Sequence, residues 1–220
     1  MSMPPPLNPD RIPTDRIPTD RIKAVAFDWG GVLIENPAAS IVSFCSEVLC
    51  VAPERFAAAF EEAEPAFQSG EMSEEGFWTF VAGRLGVPPP AEPSLWGRAL
   101  RQAYRPRPEM FALVARLRTR GIRVAILSNT ELPALAIYRE RHDGLFDEVI
   151  LSCLEGMRKP FGEIFHLAAE RLKVLKGELL FVDDRPEHVA GARRAGLSAI
   201  LFLTSAETIA AVESAVDGGA

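Results

Sequence analysis

The chain predicts an α/β fold: a doubly wound parallel sheet covered by helices, with a helical segment inserted after the first strand. Three observations lead there. Apolar, β-branched runs that end in polar residues recur at KAVAFD, IRVAILSN, DEVILSC, ELLFVDD and LSAILFL. These runs are continuously apolar rather than alternating, which means burial on both faces, as in a parallel sheet. Helical patterns lie between and after them, and one interval between strands is far longer than a crossover needs.

The elements follow in chain order. MSMPPPLNP leads into DRIPT-DRIPT-DRI, from Asp10 to Ile22, a repeat too polar and proline-broken to build a core. Residues 1–22 are therefore read as a disordered tail. The first strand, AVAF, delivers Asp28 into a turn through Trp29, Gly30 and Gly31. From Asp28 to Ser128 there are 100 residues. Within that interval, residues 37–105 read as helices punctuated by Pro53, Gly70, Gly86, Pro88 to Pro90 and Pro93. Phe56, Phe60, Ala63 and Phe67 recur there at helical spacing and read as core packing. An insert placed directly after the first strand would sit over the carboxyl edge of the sheet, as a lid. Residues 23–36 and 106–220 form the core. Its helical stretches are PEMFALVARLRTRG, GEIFHLAAERLKV, RPEHVAGARRAG and SAETIAAVESAV, and Gly121 and Gly196 follow basic last turns as C′ glycines.

Composition narrows the function. A chain of 220 residues, 48% hydrophobic, suits one domain or one domain with an insert. A formal charge of −6 argues against nucleic acid and against an anionic membrane surface as partners. Cys45, Cys50 and Cys153 are odd in number and lack CxxC spacing, which disfavours a disulfide framework or a zinc site and suits a reducing cytoplasm. No run approaches the roughly 20 apolar residues of a membrane span, and the N-terminus has no apolar secretion segment.

Ligands of open parallel sheets bind outside the carboxyl ends of the strands. Those ends carry Asp28, then Ser128-Asn129-Thr130, then Asp183-Asp184, with Lys159 in the loop after the third main strand. Two adjacent acids at a buried edge are costly unless they hold a cation. Hydroxyl, amide and ammonium groups are anion ligands. Acids for Mg²⁺ together with donors for an oxyanion point to phosphoryl transfer. Each piece has a plainer reading: Asp183-Asp184-Arg185-Pro186 suits a helix start, Ser128-Asn129 an ordinary turn, and Lys159 a solvated charge. Four such pieces at successive strand ends are harder to set aside.

The order FDWGGVL, ILSNT, GMRKP, FVDDRPEHV resembles the haloacid dehalogenase (HAD) superfamily of hydrolases, with all four family motifs in sequence from residue 23 onward. The insert resembles that family's C1-type cap, and the wording around the motifs is closest to the branch holding sugar-phosphate phosphatases and the phosphatase domain of soluble epoxide hydrolases. The resemblance implies a Rossmann-like core and a small-molecule phosphate ester as substrate. It implies that Asp28 attacks phosphorus and becomes an aspartyl phosphate. Mg²⁺ would join Asp28, the main-chain carbonyl of Gly30 and a carboxylate of Asp183 or Asp184. Ser128 and the amide at Asn129 would hold phosphate oxygens, and Lys159 would offset negative charge.

The pattern breaks at Gly30. Many phosphatases of this superfamily carry there an aspartate that protonates the leaving alcohol. Three readings follow. The protein is a phosphatase whose substrate has a good leaving group, or whose proton comes from Glu35, His188 or a cap residue. It is a metal-independent 2-haloacid dehalogenase, against which the Asp183-Asp184 pair argues. Or it is a weak or inactive relative that binds a phospho-ligand or a protein. DWGG also resembles the first motif of phosphonoacetaldehyde hydrolases, but from Ala24 to Arg158 there is no lysine for their Schiff base. In the cap, Trp78, Trp96, Arg84, Arg98, Arg101 and Tyr104 are able to stack on or grip a polar ligand. His142 and His166 read as structural, and small phosphorylated metabolites are the expected substrates.

Overall fold

The computed structural model describes residues 21–142 and 144–218, so nearly all of the repetitive tail lies outside it. Ile22, assigned from sequence to that tail, is buried against the core. Five strands, β1 (Ala24–Phe27), β2 (Arg123–Ser128), β3 (Glu148–Leu151), β4 (Leu179–Asp183) and β5 (Ser198–Leu201), pair in parallel in the order β3-β2-β1-β4-β5. The α/β class and the parallel sheet are those predicted from the uninterrupted apolar runs.

Four helices, α1 (Ala38–Val48), α2 (Pro53–Gln68), α3 (Glu74–Leu85) and α4 (Leu95–Ala103), make up the insert. The return to the sheet is α5 (Pro108–Thr119), followed after β2 by α6 (Leu135–His142) and after β3 by the single turn α7 (Ser152–Glu155). The remaining helices are α8 (Gly162–Arg171), α9 (Pro186–Arg194) and α10 (Ser205–Asp217). Alternate strand residues face opposite ways. Val25, Phe27, Val124, Ile126, Leu180 and Val182 pack in one core with α5 and α10, continuous with the insert. Ala24, Ala26, Ala125 and Phe181 pack in a second against α8 and α9. Both faces are therefore covered, which is why the strands carry no polar alternation.

The insert is sequence-coded at its boundaries. Ser73 caps α3 by accepting from the Gly76 amide, and Gly86 ends it in the left-handed conformation. Its interior is aromatic, with the Phe67 and Phe77 rings stacked at 4.3 Å. The α2 stripe buries Phe56, Ala63 and Phe67 as expected. Phe60 departs from that expectation: it is half-buried, stacks on Trp96 at 5.0 Å, and faces the cavity described below. At the end of α2 the insert is tied to the core, where Ser152 Oγ donates to the Gln68 carbonyl at 2.6 Å. Gly70 follows in the left-handed region, φ +78°, with the Cys153 carbonyl where a side chain would stand. Among the described residues no helix is long and apolar enough to cross a membrane, and Cys45, Cys50 and Cys153 are free thiols.

Candidate active site

The central strand places Asp28. Phe27 is level with Ile126 of β2 on one side and Val182 of β4 on the other, so Asp28 emerges between Leu127 and Asp183, with Ser128 one residue further along β2. Its amide donates to the Val182 carbonyl at 2.8 Å. The turn then closes on the Trp29 carbonyl, which accepts from the Leu33 and Ile34 amides at 3.0 Å each. Gly31 sits at φ +97°, and a Cβ there would collide with the Asp184 carboxylate. Glycine is thus what lets Asp184 approach this turn.

Lys159 links the strand ends. Its side chain is fully buried, and its ammonium bonds to Asp28 Oδ1 at 2.8 Å, Asp183 Oδ2 at 2.6 Å and the Leu127 carbonyl at 2.9 Å. Three donors meet three acceptors, so burial of the charge is compensated. The Lys159 backbone is held by the Asn129 side chain, which donates to its carbonyl and accepts from its amide, both at 2.9 Å. On the far side, α9 approaches closely because a Cβ on Gly191 would collide with the Pro160 carbonyl. Asn129 therefore spends its side chain on Lys159, leaving its main chain as the group that could face a phosphate.

Asp183 is enclosed by its neighbours. Its Oδ1 accepts from the Arg185 amide at 2.9 Å and lies 3.0 Å from His188 Nδ1. Burial raises its carboxyl, but Lys159 and His188 outweigh burial and hold it well below the usual range. For Asp28 the balance reverses: burial dominates over Lys159, and its carboxyl is raised. Asp184 is half-buried and is raised by burial and by the charge of Asp183. Burial and Lys159 push His188 below its ordinary value. One oxygen from each of Asp28, Asp183 and Asp184 lies within 4.8 Å of the others. Among the described residues one ammonium, that of Lys159, is bonded to this trio, so negative charge remains in excess and the oxygen donor set suits a hard divalent cation.

A cavity of about 190 Å³ opens between these strand ends and the insert, lined at its base by Asp28, Gly30, Ser128, Lys159 and Asp184. The structure thus brings together Asp28, Gly30, Ser128, Asn129, Lys159, Asp183 and Asp184. Of the two proposed proton sources, His188 lines the cavity, whereas Glu35 is exposed and does not line it. The insert residues sort sharply. Trp96 lines the cavity. Trp78 is buried in the aromatic cluster, and Tyr104 packs on Trp29 at 6.1 Å. Arg84, Arg98 and Arg101 pair on the surface with Glu62, Glu92 and Glu140. His142 is structural, accepting from Trp29 Nε1 at 3.0 Å, and burial pushes it down to about 4 so that it stays neutral. His166 lies on the exposed side of α8.

Sequence reasoning passed over Glu131. It lines the cavity, is buried, and accepts from Gln68 at 3.2 Å and from Trp96 Nε1 at 3.0 Å. Burial pushes its carboxyl up to about 7 against those two hydrogen bonds. The available signal was its position directly after Ser128-Asn129-Thr130, at a strand end already marked as chemical.

A family model described as haloacid dehalogenase-like hydrolase matches residues 22–196. The chain is 28% identical over 189 residues to the sesquiterpene phosphatase astK of Aspergillus oryzae (strain ATCC 42149 / RIB 40), covering 84% of this chain and 92% of that protein. A HAD-like family hydrolase from Porphyromonas gingivalis superposes with a TM-score of 0.71 at 25% identity, over 88% of this chain and 98% of that one. A HAD family enzyme from Bacteroides thetaiotaomicron, in complex with magnesium and inorganic phosphate, superposes with a TM-score of 0.69 at 21% identity, over 82% and 93%. That last likeness is one of fold.

Proposed function

The chain belongs to the haloacid dehalogenase-like hydrolases, and from that premise we propose that it is a Mg²⁺-dependent phosphatase of small phosphorylated metabolites, with Asp28 as nucleophile. The observation that carries this reading is the Lys159 ammonium held between Asp28 and Asp183, with a third carboxylate, Asp184, completing an acidic trio. A buried carboxylate beside a fixed cation is oriented and kept available for attack. The phosphatase name of the Aspergillus relative and the magnesium and phosphate of the Bacteroides structure support the same reading.

In the first displacement an Asp28 oxygen bonds to phosphorus, and the ester P–O bond breaks with its electron pair leaving on the alcohol oxygen. In the second, water attacks the same phosphorus, the Asp28–phosphorus link breaks, and inorganic phosphate departs with Asp28 restored. The Ser128 hydroxyl and the main-chain amide at Asn129 hold phosphate oxygens. Lys159 offsets charge shared by nucleophile and phosphate, and the Asn129 clamp fixes where that charge sits. Asp28, the Gly30 carbonyl and the Asp183-Asp184 pair are the groups that would hold Mg²⁺. Of the pair, Asp184 has the more open carboxylate, since Asp183 is engaged by Lys159, Arg185 and His188. Bound there, the ion supplies charge neutralisation between two anions.

Gly30 gives no proton to the leaving oxygen, so turnover depends on how well that oxygen departs or on a proton from another cavity group, of which His188 is the candidate. General acid help is typically worth about 10²–10⁴-fold. The test is phosphate release from p-nitrophenyl phosphate with and without Mg²⁺. The expected result is release that EDTA and Asp28→Asn both abolish. Chloride release from 2-chloropropionate without metal, and no phosphate release, would overturn it in favour of a dehalogenase.

A further inference from the structure

The cavity wall facing the phosphate end specifies what the phosphate is attached to, given the phosphatase reading above. The insert contributes Ile41, Val42, Phe60, Trp96 and Leu100 to this wall. The Phe60 and Trp96 rings are stacked within 25° of parallel. The Trp96 ring nitrogen is already bonded to Glu131, so what the indole offers the cavity is apolar.

The polar groups on the insert side are few and partly engaged. Asn36 accepts from the Ala38 amide, and Gln68 is held by Glu64, Glu131 and Arg158. Glu64, whose Oε1 accepts from Gln68, also lines the cavity. Among the described residues no lysine or arginine of the insert lines it, and Arg84, Arg98 and Arg101 are paired on the surface. Sugar hydroxyls buried against the Phe60, Trp96 and Leu100 face would lose water and gain no partner there.

We propose that the substrate is a monophosphate ester of an apolar alcohol, about one hydrocarbon ring in size. The size follows from the volume: a void of about 150 Å³ accepts a benzene ring, and this cavity of about 190 Å³ must also admit part of the phosphate. The wall thus departs from the sugar-phosphate chemistry that the motifs resemble. Phe60, Trp96 and Leu100 act as specificity residues, because burying hydrocarbon against them lowers the free energy of bound apolar esters and gives polar ones nothing.

The experiment compares phosphate release from 2-phenylethyl phosphate and glucose 6-phosphate, both esters of primary alcohols, with p-nitrophenyl phosphate as the activity control. The expected result is a kcat/KM for 2-phenylethyl phosphate at least about tenfold above that for glucose 6-phosphate. Val42→Asn, at a half-buried wall position, is expected to shrink that ratio severalfold. Equal or better use of glucose 6-phosphate, or a ratio unmoved in folded Val42→Asn, overturns the inference and leaves the phosphatase reading standing. No phosphate from any ester, p-nitrophenyl phosphate included, overturns both.

Discussion

Replacing Glu131 with glutamine is expected to stabilise the protein at alkaline pH and much less at acidic pH. Glu131 is 5% exposed and accepts from Gln68 and Trp96, so it joins the insert to the loop after β2. Burial raises its carboxyl from an ordinary 4.5 to about 7. An acid held above its unfolded value binds its proton more tightly in the folded state. Stability is therefore undiminished below about pH 4.5, falls as pH rises towards 7, and stays lowered above it. At about 1.4 kcal/mol per pH unit, the charging penalty differs between pH 5 and pH 8 by about 2.5 kcal/mol. Glutamine never charges and keeps one acceptor oxygen, so any loss from its weaker hydrogen bonds is the same at both pH values. Urea unfolding of wild type and Glu131→Gln, with EDTA present, reads the difference directly. An advantage of the variant that grows by about 1–3 kcal/mol from pH 5 to pH 8 is expected. An advantage that does not change with pH would refute the assignment of a raised, buried carboxyl.

Three further outcomes follow from the geometry. Gly30→Asp is expected to raise turnover of esters with poor leaving groups by up to about 10²-fold while changing aryl esters little, measured as kcat across a series of leaving-group pKa. Its Cβ would stand 3.1 Å from Pro37 Cδ, so the helix start must give slightly, and an unchanged slope would mean another group already donates the proton. Gly191→Ala drives a methyl into the Pro160 carbonyl and is expected to cost about 1–3 kcal/mol and to displace Lys159, lowering kcat as well. Gly83→Ala, in α3 with nothing within 4 Å of the added methyl, is expected to stabilise by about 0.5–1 kcal/mol under the same urea titration, and a matching loss at both glycines would contradict the packing described.

The sheet and the convergence of the acids were readable because both are written in local pattern. Apolar runs with no alternation require two covered faces, and the β1 and β4 runs end in Asp28 and Asp183, which the register sets side by side. Gly31 and Gly191 are visible only as glycines in sequence. Their meaning is a close approach by Asp184 and by Pro160, which comes from chain segments far away. The insert was legible as helices but not in its facing. Phe60 shares a helical stripe with three core residues, yet its side of α2 looks into the cavity, a rotation that periodicity alone does not fix. The cap arginines were candidates by residue type, and their acidic partners, from 6 to 39 positions away along the chain, remove them from the cavity. Glu131 was missed because a lone acid in a loop reads as solvated until the loop is seen to be covered by Gln68 and Trp96.

The central claim is that Asp28 itself takes the phosphoryl group. Acid-quenched enzyme, caught during turnover of p-nitrophenyl phosphate with Mg²⁺ and digested, can be examined by mass spectrometry for the peptide spanning Ala24 to Ile34. The account predicts that this peptide gains the mass of one phosphoryl group, that hydroxylamine removes it, and that Asp28→Asn never acquires it. Rapid phosphate release with that peptide unmodified at every quench time, and with the label on another residue or nowhere on the protein, would contradict it.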